Sequence, residues 1–190
     1  FKIPGVGHKD GAKLQVLASV LGSGESSLLY QKLREEKKLV YSIDASSWMA
    51  EGQGLFWIQY TCMAEKRQEV ESFLQNHLCD LVEDYLTENA INKAYNQAII
   101  SELDTRKTVS GRAHHVGWAI VCLGDENYPK HYLEQLRALT ANSVKAIVRK
   151  YFKKVSCTTV SLRSYDSVEE NNLTNFSSRR HIPVESLCIE

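Results

Sequence analysis

Residues 21–41 read LGSGESSLLYQKLREEKKLVY. The stretch opens like a phosphate-binding loop, but its context does not fit one. A dinucleotide fingerprint needs its glycines directly after a strand and at the start of a helix. Here Gly22 and Gly24 follow a helical pattern, Asp10–Leu21, apolar at Leu14, Leu17, Ala18 and Leu21 with Val16 and Val20 beside them. The third glycine is missing, and no Lys-Ser or Lys-Thr pair follows as in a P-loop. GSGESS therefore reads as a helix-to-helix corner, where glycine supplies the left-handed turn. The next helix is expected from about Ser26 to Lys37.

Beyond the corner the period changes to two. In Val40–Ala50, Tyr41, Ile43, Ala45 and Met49 share one face, and Ser42, Asp44, Ser46 and Trp48 share the other. Gly52 and Gly54 mark a turn. In Leu55–Met63, Phe56, Ile58, Tyr60 and Cys62 alternate with Trp57, Gln59 and Thr61. Two such runs around a short glycine-containing link predict an antiparallel hairpin with one greasy face and one polar-aromatic face. The greasy face needs a helix over it. The stripe Val70, Phe73, Leu74, Leu78, Leu81, Val82 and Tyr85 in Lys66–Leu86 is expected to cover Phe56, Ile58 and Tyr60.

Thr87 is placed to cap a helix striped with Ile91, Ala94, Tyr95, Ala98, Ile99 and Leu103. Weaker helical pattern covers Ser110–Leu123 and Tyr132–Leu139. Thr140 is placed to cap Ala141–Phe152, Val155–Arg163 alternates like a strand, and Phe1–Pro4 reads as a strand end. This order predicts an α+β fold: a two-layer sandwich of a largely antiparallel sheet with helices packed on one face. Residues 1–163 read as one domain. Residues 164–190 read as a linker-like tail leading toward a further domain. The chain opens on Phe1, as expected of a processed product or a piece of something longer.

Composition narrows the function classes. The 190 residues suffice for one domain with a sizeable core. Lys+Arg and Asp+Glu are both 23, so the formal net charge is zero. That balance argues against nucleic acid or an anionic membrane as the main partner, and neither nucleic acid nor membrane is expected as one. The local basic patch of Arg149, Lys150, Lys153 and Lys154 reads as a solvated helix terminus. The five cysteines are widely spaced and include no Cys-x-x-Cys pair, so they outline neither a zinc knuckle nor a disulfide framework.

No His-x-x-Glu-His or His-Glu-x-x-His is present, and hence no metal-ligand spacing. His77 falls within the apolar stripe of its helix and is expected to be partly buried and hydrogen-bonded. His114 and His115 are neighbours, pointing about 100° apart on a helix, and are expected at the surface. No Gly-x-Ser-x-Gly elbow offers a nucleophile. No catalytic residue is assigned.

The stretch LGSGESSLLYQKLREEKKLVYSIDA (residues 21–45) resembles a pattern in the pitrilysin/insulinase-type zinc metallopeptidases, which include mitochondrial processing peptidase. In that pattern a helix ends in Leu-Gly-x-Gly and the next helix runs into Leu-Arg-Glu, a basic stretch and an aromatic that starts a strand. LTENAINKAYNQAI (residues 86–99) is similar to the family's Thr-led helix, with Ala90 where a glutamate is usual and Tyr95 where a lysine is usual. TANSVKAIVRKYF (residues 140–152) and VSCTTVSL are similar to its last helix and strand.

The resemblance implies a clamshell of homologous domains, one carrying the inverted zinc motif and its partner carrying none. This chain would be the non-catalytic partner, inactive alone and holding no cofactor itself. Its partners would be a catalytic metallopeptidase domain, on the same chain or a separate subunit and holding the zinc, and a peptide substrate. The resemblance also implies that Arg34 and Tyr41, seven residues apart, reach that substrate. Val40 stands where the family has glycine. Two alternatives stay open at this stage. Arg34 could simply answer a helix dipole and Tyr41 belong to the core. The whole domain could serve assembly alone, with no substrate contact.

Overall fold

In the computed structural model, residues 1–152 and 157–162 are described, and the chain divides into two compact units, Phe1–Thr159 and Val160–Glu190.

The element order is β1 (Lys2–Pro4), α1 (Gly11–Gly22), a π-helical segment (Tyr30–Glu36), β2 (Ser42–Met49) and β3 (Gln53–Thr61). Then come a short 3-10 turn (Ala64–Lys66), α2 (Arg67–Tyr85), α3 (Glu88–Thr105), α4 (Val109–Leu123), α5 (Tyr128–Arg137) and α6 (Ala141–Tyr151). The strands form an antiparallel sheet in the order β1-β3-β2. The α+β fold expected from the alternation and the stripes is the fold observed. Among the described residues no helix is long and apolar enough to cross a membrane.

The hairpin register pairs Ile43 with Tyr60, Ala45 with Ile58 and Ser47 with Phe56 on the inner face. Ile43, Ala45 and Phe56 are buried, and Ile58 and Tyr60 pack on the same core. Burial, and then the nearby Glu71 carboxylate of α2, push the Tyr60 hydroxyl up to about 12. Phe56 meets another ring. Its centroid is 4.6 Å from that of Phe152, at the end of α6, in an edge-on arrangement. The cover over the inner face is therefore broader than α2 alone. Helix α1 lies directly on β2, which the sequence reading did not foresee.

That contact explains the first glycine of the corner. A Cβ on Gly22 would stand 1.9 Å from the backbone nitrogen of Ala45, so only glycine lets α1 end against β2. Gly24, with φ of 78°, supplies the left-handed turn that follows.

The helix expected over Ser26–Lys37 is a π-helix across Tyr30–Glu36. Its widened turn shows in the Lys37 N–H donating to the Lys32 carbonyl, five residues back, at 3.1 Å. Thr87 and Thr140 accept from Ala90 and Ser143 as read, and Thr108, not singled out in the sequence, caps α4 by accepting from Gly111. His77 is a correction: its side chain is 61% exposed, at the margin of the stripe beside Asp80. Glu71, outside the apolar stripe of α2, is nonetheless buried and paired with Arg67 at 3.1 Å.

The basic patch is also partly paired. Arg149 meets Glu83 at 2.7 Å and Lys150 meets Asp10 at 2.7 Å, while Lys153 and Lys154 lie outside the described residues. Of the strand expected over Val155–Arg163, Cys157–Leu162 carry no strand, because alternation alone does not supply a paired neighbour. Its remaining residues and the tail from Ser164 lie outside the described residues.

Asp10 ties the two ends of the unit together. It stands at the N-cap of α1 without capping it. Instead its carboxylate accepts from Lys13 at 3.1 Å, Lys150 at 2.7 Å and the Tyr151 hydroxyl at 2.8 Å. Burial alone would push this carboxyl up. The hydrogen bonds from Lys150, Tyr151 and Lys13 more than reverse that and hold it well below the usual carboxylate range. A folded-state pKa below the unfolded value of about 4 gives stability that is complete above that pH and is lost as pH falls below it. Asp10→Asn is therefore expected to destabilise the domain by about 2 kcal/mol at neutral pH. In urea denaturation the gap to the native sequence should narrow below about pH 4. A gap constant with pH would show that the carboxylate's charge is not what stabilises.

Candidate functional site

Helices cover one face of the hairpin, and the other face remains open. On that outer face Ser42 pairs with Thr61, Asp44 with Gln59, Ser46 with Trp57, and Trp48 with Leu55. Trp48, Leu55 and Trp57 are exposed, as are Asp44, Gln59 and Thr61. The Ser46 hydroxyl donates to Asp44 at 3.1 Å. The face thus has an apolar end near the hairpin turn and a polar end near Tyr41.

Tyr41 lies one residue before β2, so the strand's two-residue period does not govern it. Its side chain is 57% exposed, not in the core with Ile43 and Ala45. Its backbone N–H donates to the Thr61 carbonyl at 2.7 Å, which fixes the main chain. Its hydroxyl has no hydrogen-bond partner among the described residues.

Arg34, in the π-helical segment, is also exposed. Its guanidinium sits 4.7 Å from the centre of the Tyr30 ring. Among the described residues no carboxylate pairs with it, although Glu35 and Glu36 are its neighbours in the chain. Tyr30 was not singled out in the sequence. The Tyr-x-x-x-Arg spacing, which places two side chains on one helix face, was its only signal.

The chain between the two residues is held firmly. Leu39 donates to the Leu33 carbonyl at 2.8 Å, and the Lys66 ammonium donates to the Lys38 carbonyl at 2.8 Å. Lys38 takes the left-handed conformation, φ 53°. Leu39 and Val40 are buried and plug the turn into the core. Val40 does not itself need a positive φ, so a branched residue is tolerated at this position. Arg34 and Tyr41 therefore emerge at either end of one anchored turn.

Among the described residues, no three His, Cys, Asp or Glu groups are placed to hold a metal ion. Cys62, Cys79, Cys122 and Cys157 are free and half-buried, and Cys188 lies outside the described residues. His115 is half-buried with Nε2 3.0 Å from Glu102, which also pairs with Arg106, and His114 is exposed. A cleft of about 390 Å³ between α1, α3 and α5 is lined by Gln15, Ser19, Gln97 and Tyr132 among others. It takes in neither Arg34 nor Tyr41.

The model of the Peptidase M16 inactive domain matches residues 1–98, more than half of the chain. The chain belongs to the Peptidase M16 inactive-domain family. An uncharacterized zinc protease of Streptomyces coelicolor is 26% identical over 149 residues, covering 77% of this chain and 32% of the relative. The mitochondrial-processing peptidase subunit alpha of Solanum tuberosum is 24% identical over 190 residues, covering 88% of this chain and 37% of the subunit. The chain thus spans about a third of the length of these relatives. The fold is that of solved members. A peptidase M16 inactive domain from Pseudomonas fluorescens superposes with a TM-score of 0.66 at 19% identity, covering 77% of this chain and 35% of that one. The described residues of this M16 inactive domain do not make a fit for zinc.

Proposed function

We propose that this M16 inactive domain is the non-catalytic partner of a zinc metallopeptidase catalytic domain, which lies on the same chain or a separate subunit and carries the zinc. It encloses a peptide substrate and positions it. One observation carries this reading: Arg34 and Tyr41 both stand out of the core with unpaired donor groups, at the two ends of one anchored turn. A guanidinium can hold a peptide carbonyl or carboxylate through its forked N–H donors. A phenol can donate to a carbonyl oxygen that gains negative charge in the transition state. The open sheet face beside Tyr41 offers the peptide hydroxyls, amides and indoles.

The test uses the full protein with its catalytic domain. Arg34→Ala removes a charged hydrogen-bonding anchor worth about 1.5–3 kcal/mol. KM should rise by about ten- to a hundredfold, with a smaller change in kcat. Thermal stability should stay within about 1 kcal/mol, because an exposed side chain contributes little to packing. An unchanged KM would remove Arg34 from the substrate site and favour a domain that serves assembly alone.

A further inference from the structure

We infer that Tyr30 is a positioning residue for Arg34, holding its guanidinium so that the N–H donors remain free for substrate; this rests on the reading of Arg34 as a substrate contact. The Arg34 guanidinium lies 4.7 Å from the Tyr30 ring centroid, within the range of a cation–π contact. The ring is half-buried and packed against the core, so it is a fixed platform rather than a second mobile side chain. A ring face attracts a guanidinium through its π system and presents no oxygen to its N–H donors. A carboxylate partner would do the opposite and occupy two donors.

Among the described residues no carboxylate pairs with Arg34, and the neighbouring charges fix its helix. Glu36 takes Lys32, at 2.5 Å. Lys32 also rests on the Tyr85 ring at 5.3 Å and Lys37 on the Phe73 ring at 5.5 Å, so both lysines tie the π-helical segment to α2. Arg34 alone among the cations of this segment sits on a ring of the segment itself. The Tyr30 hydroxyl has no hydrogen-bond partner among the described residues, so the ring and not the hydroxyl does the holding.

The decisive experiment is a kinetic cycle in the full protein with its catalytic domain, using Tyr30→Leu, Tyr30→Phe, Arg34→Ala and the double variant Tyr30→Leu/Arg34→Ala. Loss of an exposed cation–π contact predicts that Tyr30→Leu raises KM about two- to fivefold. Tyr30→Phe should match the native protein. The Tyr30→Leu effect should vanish in the Arg34→Ala background. An impaired Arg34→Ala beside an unaffected Tyr30→Leu overturns the positioning role and leaves Arg34 as a substrate contact. An effect of Tyr30→Leu that persists without Arg34 also overturns it. An unaffected Arg34→Ala overturns both readings. Should Tyr30→Leu not fold, NMR of the native protein decides. The Arg34 side-chain protons should be shifted upfield by the Tyr30 ring current, and ordinary shifts would contradict the inference.

Discussion

Phe56→Asp is expected to unfold the domain, while Trp57→Asp, one residue along the same strand, should cost about 1 kcal/mol or less. Phe56 is fully buried, and its ring packs edge-on against Phe152 with centroids 4.6 Å apart. Removing a buried phenylalanine side chain costs about 3–5 kcal/mol by itself. A carboxylate in its place would stand against Phe152 and beside Ala45 and Ile58, away from water, with no charged side chain opposite it in the strand register. Burying it unpaired adds several kcal/mol. The total is comparable with the whole stability of a typical domain, about 5–15 kcal/mol. Trp57 faces the other way and is 41% exposed. Circular dichroism and urea denaturation of the two variants would check the contrast. Equal losses, or a larger loss at Trp57, would mean that the covered face of the sheet is the other one.

The faces of that sheet were legible because each strand is half-buried, and a half-buried strand writes its orientation as a period of two. The threonine caps were legible because capping is local chemistry. What could not be read depended on packing that the periodicity does not record. Gly22 looks like any turn glycine until Ala45 is seen against it. Glu71 looks solvent-facing until Arg67 neutralises it. The apolar spacing of Leu29 and Leu33 fits a wide helical turn as well as an ordinary one, so the π-helix left no signature in the pattern.

The candidate site divides along the same line. Arg34 and Tyr41 were picked out through resemblance to the family, because nothing in a lone arginine and tyrosine distinguishes substrate contacts from surface residues. The alternation even counted Tyr41 with the inner face. The chain reaches β2 only at Ser42, so Tyr41 escapes that rule and turns outward. Tyr30 was missed because its partner's lack of a carboxylate is a three-dimensional fact.

Tyr41→Phe carries the second large expectation. The substitution removes one hydroxyl and almost no volume. The ring is more than half exposed and its backbone N–H bond to Thr61 is untouched, so the fold should be indifferent. On the proposed reading, its effect belongs to chemistry. A donor aimed at a developing oxyanion contributes about 2.7–4 kcal/mol to the transition state and less to the bound ground state. The expected signature is therefore a fall in kcat of about 10²–10³ with a smaller change in KM. An assembly-only domain has no route to such a signature, because it would lose stability or association instead of rate. The most direct measurement is thus the steady-state rate of peptide cleavage by the full protein, native and Tyr41→Phe, at matched folded concentration. A hundredfold or greater loss of kcat, with unchanged melting, is the predicted result. An unchanged kcat would contradict the claim that this M16 inactive domain reaches into the reaction of its catalytic partner.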